Sequence, residues 1–179
     1  MQAQDILNFW FQELDSKQHF IKDPALDAAI RQRFGATLEA AARCELFGWR
    51  GAPQGRLAEI VVLDQFSRNI FRDTAHAFAQ DPLALVLAQE LVASGLDQSL
   101  TPTQRSFAYM PYMHSESPVV QAESVRLFSQ AGLESNLNFA LRHQAIVVRF
   151  GRFPHRNAIL GRPSSAEEIA FLNEPGSSF

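Results

Sequence analysis

One cysteine, Cys44, stands among 179 residues. That excludes an internal disulfide and any metal cluster built on several thiolates. Lysine is almost missing too, two residues against fourteen arginines. Arginine's planar fork suits carboxylates and phosphates, although a composition bias of the genome accounts for the ratio equally well. No apolar run approaches the ~18 residues of a spanning helix; the best, "LALVLAQELVA", is broken by Gln89 and Glu90. The opening "MQAQDILNFW" has no basic region leading into an apolar run, so no leader is read and a cytoplasmic location is the expectation. Acid is missing from one long stretch. Between Ser135 and Ala166 there is no Asp or Glu but five arginines, so this segment carries +5 and the rest −8 of a total of −3. An acidic chain with one basic region attracts a small anion and is not built for nucleic acid.

What is present is helical. At this length a single domain is expected, spanning 1–174 with a loose tail over 175–179. Asp23-Pro24, Asp81-Pro82, Thr101-Pro102 and Ser117-Pro118 each set a capping residue before a proline suited to a first helical turn. Thr101 with Gln104, and Ser164 with Glu167, have the spacing of a capping box. Leu26, Ile30, Phe34, Leu38 and Ala41 recur on one stripe. The reading is all-α: about nine helices near 2–12, 24–47, 54–72, 82–94, 102–113, 118–131, 135–150, 154–160 and 164–173, stacked as antiparallel hairpins through short connections. Pro111 marks a frayed or kinked last turn.

Polar residues intrude where a core is expected. In "GRLAEIVVLDQFSRNIFRD" apolar residues surround the helix, which places it among other helices. Yet Asp64 and Arg68 are four apart on it, as are Gln65 and Asn69. Such groups need partners or a wet cavity. "MPYMHSESPVVQ" sets His114, Ser115 and Glu116 at a helix junction; neighbouring residues rarely face one another, which weakens a catalytic-triad reading. The histidines lack ligand spacing, so no metal is expected, nor any cofactor.

The densest cationic stretch is "RFGRFPHRN", Arg149 to Asn157. Gly151 ends one helix and Pro154 opens another, placing His155, Arg156 and Asn157 in a first turn, where cations are poorly placed and an anion is welcome. Phe150 and Phe153 read as core residues rather than base-stacking platforms.

Together, "ILNFWF", "LDQFSRNIFR", "MPYMHSES…Q", "RFGRFPHRN" and "LGRPSSAEE" resemble the bacterial family called domain of unknown function 924, over Ile6 to Leu172. The resemblance implies an all-helical, tetratricopeptide-like superhelical arrangement and brings no established activity. Its motif positions fall on Asp64, Gln65, Arg68, Asn69, His114, Ser115, Glu116, Gln121, His143, Arg149, Gly151, Arg152, Pro154, His155, Arg156 and Asn157; Ser67 stands where proline is more usual. Three functional readings follow. In the first, Asp64, Arg68, Asn69, Arg149, Arg152, His155, Arg156 and Asn157 converge on a pocket for a small phosphate or carboxylate, with Glu116, His114 and His143 as proton-transfer candidates. In the second, the chain is an adaptor gripping a peptide or protein partner in a groove. In the third, the polar set is a structural ion-pair network.

Overall fold

The computed structural model describes residues 1–178 and is helical, with no strand among them. Helices α1 (Ala3–Asn8), α2 (Pro24–Ala42), α3 (Pro53–Val61), α4 (Ser67–Ile70), α5 (Asp81–Ala93), α6 (Pro102–Met113), α7 (Pro118–Phe128), α8 (Glu134–Phe150) and α9 (Ala166–Leu172) follow in order. Consecutive helices from α5 to α8 pack side by side, while α3 lies among α1, α5 and α6. Leu57, Ala58, Ile60, Val61, Val62, Leu63 and Phe66 are fully buried, so the stretch from α3 to α4 is the axis of the core. Its apolar residues face every direction because neighbours cover every side.

Three proline signals work as their chemistry dictates. Asp23 accepts from the backbone N–H of Ala25 and Leu26, Thr101 from Gln104, and Ser117 from Val120. Pro111 neither frays nor ends α6, which runs on to Met113. The expected helix 24–47 stops at Ala42, since Cys44 takes a left-handed φ of 58° that no continuing helix allows. The expected box at Ser164 lies one residue on: Ser165 and Glu168 cap α9, while the Ser164 hydroxyl accepts from Asn157 Nδ2 at 3.0 Å.

The expected helix 54–72 is interrupted. Val62–Phe66 is π-helical, one residue wider per turn, and it carries Asp64 and Gln65. Such insertions recur where a helix must aim side chains at a site. The expected helix 154–160 shortens to a 3₁₀ turn, Pro154–Arg156. In the C-terminal tail, expected to be loose, Ser177 is buried and its hydroxyl donates to the Leu172 carbonyl; Phe179 lies outside the described residues.

A close backbone approach fixes the start of α3. A Cβ on Gly55 would stand 1.9 Å from the Trp49 carbonyl oxygen, and backbone cannot swing aside as a side chain can. Gly55→Ala is expected to cost about 2–3 kcal/mol through overpacking, read as a lower urea midpoint. An unchanged midpoint would mean that this approach is looser than described.

Candidate functional site

The polar set gathers in two linked groups. The first is centred on Asp64, which is fully buried. Its Oδ1 accepts from His114 Nδ1 at 2.8 Å and lies 3.0 Å from Arg68 Nη1, while Oδ2 accepts from Gln65 at 2.6 Å. Arg68 also donates to both oxygens of Asp81, at 2.9 and 3.0 Å. Arg156 Nη1 reaches the same Asp81 at 3.3 Å, and its Nη2 donates to the His114 carbonyl at 3.0 Å. Asp81 was read from sequence as a helix-capping residue. It starts α5 instead, and its carboxylate is shared between two guanidiniums.

Burial opposes ionising Asp64, but Arg68 and His114 outweigh it and hold the carboxyl well below the usual range. Burial first, then the Arg68 charge, keep the His114 ring below the ordinary imidazole range. At pH 7 this is a neutral imidazole donating Nδ1–H to a carboxylate, which leaves Nε2 as the basic nitrogen.

The second group is centred on Glu116. Arg162 grips both its oxygens at 2.6 and 2.9 Å, and the Phe153 N–H donates to Oε1 at 2.8 Å. Arg162 Nε also donates to Asn157 Oδ1 at 3.0 Å. Burial works against the charge on Glu116, yet Arg162 and the Phe153 N–H hold its carboxyl below the usual range. The start of the turn at Pro154, where a dissolved anion was expected, thus receives an anion from the chain itself.

The basic segment does not converge as a whole. Arg142 donates to the Gly176 carbonyl, and Arg149 pairs with Glu167 on the exterior over the Phe150 ring. Arg152 clamps Glu168 at 2.6 and 2.8 Å. Asn69 turns away to Asp27, which Arg72 also holds. His143 is buried, donates Nδ1–H to the Phe139 carbonyl at 2.8 Å, and faces the His114 ring at 6.4 Å. His155 packs on Phe153, which lies in a small apolar cluster with Ile146 and Val147, the core role expected for it. Gln121, fully buried, ties the carbonyls of Met113 and Ser115 and so fixes the junction that presents His114.

Between the two groups lies a hollow of about 380 Å³. Asp81, His114, Ser115, Glu116 and Arg156 supply its polar side, and Phe78, Pro82, Leu85, Pro111 and Leu160 its apolar side. Sequence reasoning missed Asp81, Arg162 and Phe78. Only Arg162 carried a signal, as a cation in the acid-free segment. The three acids Asp64, Asp81 and Glu116 match Arg68, Arg156 and Arg162 in number, so the cluster has no surplus of cations. Among the described residues, no three His, Cys, Asp or Glu side chains gather as a metal site, and no helix is long and apolar enough to cross a membrane.

Comparison with known proteins agrees with this architecture. The family described as "Bacterial protein of unknown function (DUF924)" matches residues 6–176. The chain is similar to the solved "Structure of Protein of Unknown Function ATU0120 from Agrobacterium tumefaciens", at 41% identity over 96% of each chain with a TM-score of 0.87. Among curated proteins nothing matches.

Proposed function

The chain belongs to the bacterial DUF924 family, and we propose that its hollow binds a small anionic ligand at Arg156, with His114 as the group that exchanges a proton with it. The observation that carries this reading is the state of Arg156. It is 6% exposed and, among the described residues, its one carboxylate contact is a long 3.3 Å to Asp81, shared with Arg68, and its buried Nε has no hydrogen-bond partner. Burial first, and the neighbouring Arg68 charge second, pull its pKa down to about 10. A guanidinium held to its carboxylate only at 3.3 Å gains from an anion more than a closely paired one does. His114, held by Asp64 in one tautomer, lines the same hollow with its other nitrogen basic, the arrangement general-base chemistry uses.

Small carboxylates and phosphates are expected to raise the unfolding midpoint with the logarithm of their concentration, by about 2.7 kcal/mol of stability at a hundredfold excess over Kd. Arg156→Met, with its helicity checked by circular dichroism, is expected not to respond. Equal responses from the two proteins would remove the reading.

A second reading fits the Glu116 group. With both oxygens engaged, Glu116 acts as a brace that pins the 153–162 segment to the α6–α7 junction, and Arg152 with Glu168 extends the brace to α9. That segment rests on a small apolar cluster, so polar contacts do much of the holding. A peptide groove draws no comparable support, because Arg149 faces outward and Arg156 is buried.

A further inference from the structure

The walls of the hollow carry information about the ligand beyond its charge. Phe78, Leu85, Pro111 and Leu160 form one side. Phe78 does more than line it: the Arg156 guanidinium carbon stands 4.5 Å from the Phe78 ring centre and 4.7 Å from that of Phe153. Two rings therefore hold the guanidinium at the boundary between polar and apolar walls, in the geometry of a cation over aromatic faces. On the polar side, Asp81 and Glu116 already present carboxylates. A phosphate, with about −1.5 to −2 charges at pH 7, meets both of them in a cluster whose cations are already matched. A monoanion meets less repulsion and still completes Arg156. The volume equals roughly a dozen water-sized volumes of ~30 Å³, which admits about ten non-hydrogen atoms. A sugar or other polyol of that size would leave hydroxyls against Leu85, Pro111 and Leu160 without partners, at a cost.

We infer that the hollow takes a monocarboxylic acid with an apolar body, its carboxylate at Arg156 and its body against Phe78, Leu85, Pro111 and Leu160. This rests on the anion-pocket reading above and narrows its ligand class.

Calorimetric titration of the full chain with acetate, butyrate, hexanoate and octanoate tests it, with inorganic phosphate and 1-hexanol as comparisons. Affinity is expected to rise about fourfold for each methylene until the hollow is full, at one site per chain. Phosphate and hexanol should each bind at least tenfold more weakly than hexanoate. Leu85→Asn alters a half-buried wall residue and leaves Arg156 intact; it should lose tenfold or more toward hexanoate and keep its affinity for acetate. A flat series, or phosphate binding more tightly than hexanoate, overturns the apolar-body inference and leaves the anion pocket standing. Hexanol binding as tightly as hexanoate removes the role of Arg156 in the ligand class. If none of these anions binds, the anion pocket itself fails.

Discussion

Acidification from pH 7 to pH 5 is expected to cost the folded chain roughly 4 kcal/mol through His143 and His155 alone. Burial is the largest cause for both. It pulls His143 down to about 3, against a hydrogen bond to the Phe139 carbonyl, and His155 down to about 4, helped by Arg156. In the unfolded chain both rings titrate near 6.5. Below that pH the unfolded state takes up protons that the folded state refuses. Their contribution is therefore complete above 6.5 and is lost as pH falls toward 4 and then 3. Each ring approaches a slope of about 1.4 kcal/mol per pH unit. His114 and His19, also lowered by burial, act in the same direction. The paired carboxylates Asp27 and Glu116 are lowered too, but they release their stabilisation as pH falls through their ordinary values of 3.8 and 4.5 and below. The loss between pH 7 and 5 thus belongs to the histidines. It compares with a whole-domain stability of about 5–15 kcal/mol, so acid unfolding should begin early. Urea midpoints at pH 7.5, 6.5, 5.5 and 5.0 measure it, and His143→Gln should flatten the profile by about one proton. A constant midpoint over that range would show that the folded protein accepts these protons.

The elements most legible in sequence are those set by local chemistry. Asp23, Thr101 and Ser117 cap their helices because a side-chain oxygen meets an N–H two or three residues away, whatever the tertiary structure does. The same signal at Asp81-Pro82 marked a helix start and hid the function of the carboxylate, which depends on Arg68 and Arg156, thirteen and seventy-five positions distant. The enclosure of α3 was legible from apolar residues on every face. The π-helical turn after it was not, since one inserted residue leaves composition and periodicity nearly unchanged. "RFGRFPHRN" reads in sequence as a corner that binds a dissolved anion, and most of its positive charge meets acids of the chain itself. Glu167 meets Arg149, Glu168 meets Arg152, and Glu116 occupies the Phe153 N–H, while Arg156 has a long 3.3 Å contact to Asp81. Counting charges along a chain cannot show this, because the matching acids lie outside the segment counted.

Asp64→Asn is expected to destabilise the protein by about 3 kcal/mol or more, the scale for breaking a buried pair. The substitution keeps the side-chain volume and an oxygen that can still accept from His114 Nδ1, and it removes the charge together with the acceptor that Gln65 Nε2 uses. Among the described residues Arg68 is then left with Asp81 as its only carboxylate, beside the backbone carbonyl of residue 64. Arg156 also uses Asp81, so two guanidiniums share one carboxylate in a site where position 64 is fully buried and Asp81 largely so. The companion variant Asp64→Asn/Arg68→Met removes both members of the pair and should recover part of the loss, because no uncompensated charge remains inside. Urea unfolding of the wild type, both single variants and the double variant gives the coupling energy directly. An Asp64→Asn protein as stable as the wild type, or more stable, would reverse the interpretation. The carboxylate would then be held at a cost to the fold, and its value would lie in fixing the His114 tautomer rather than in holding the helices together.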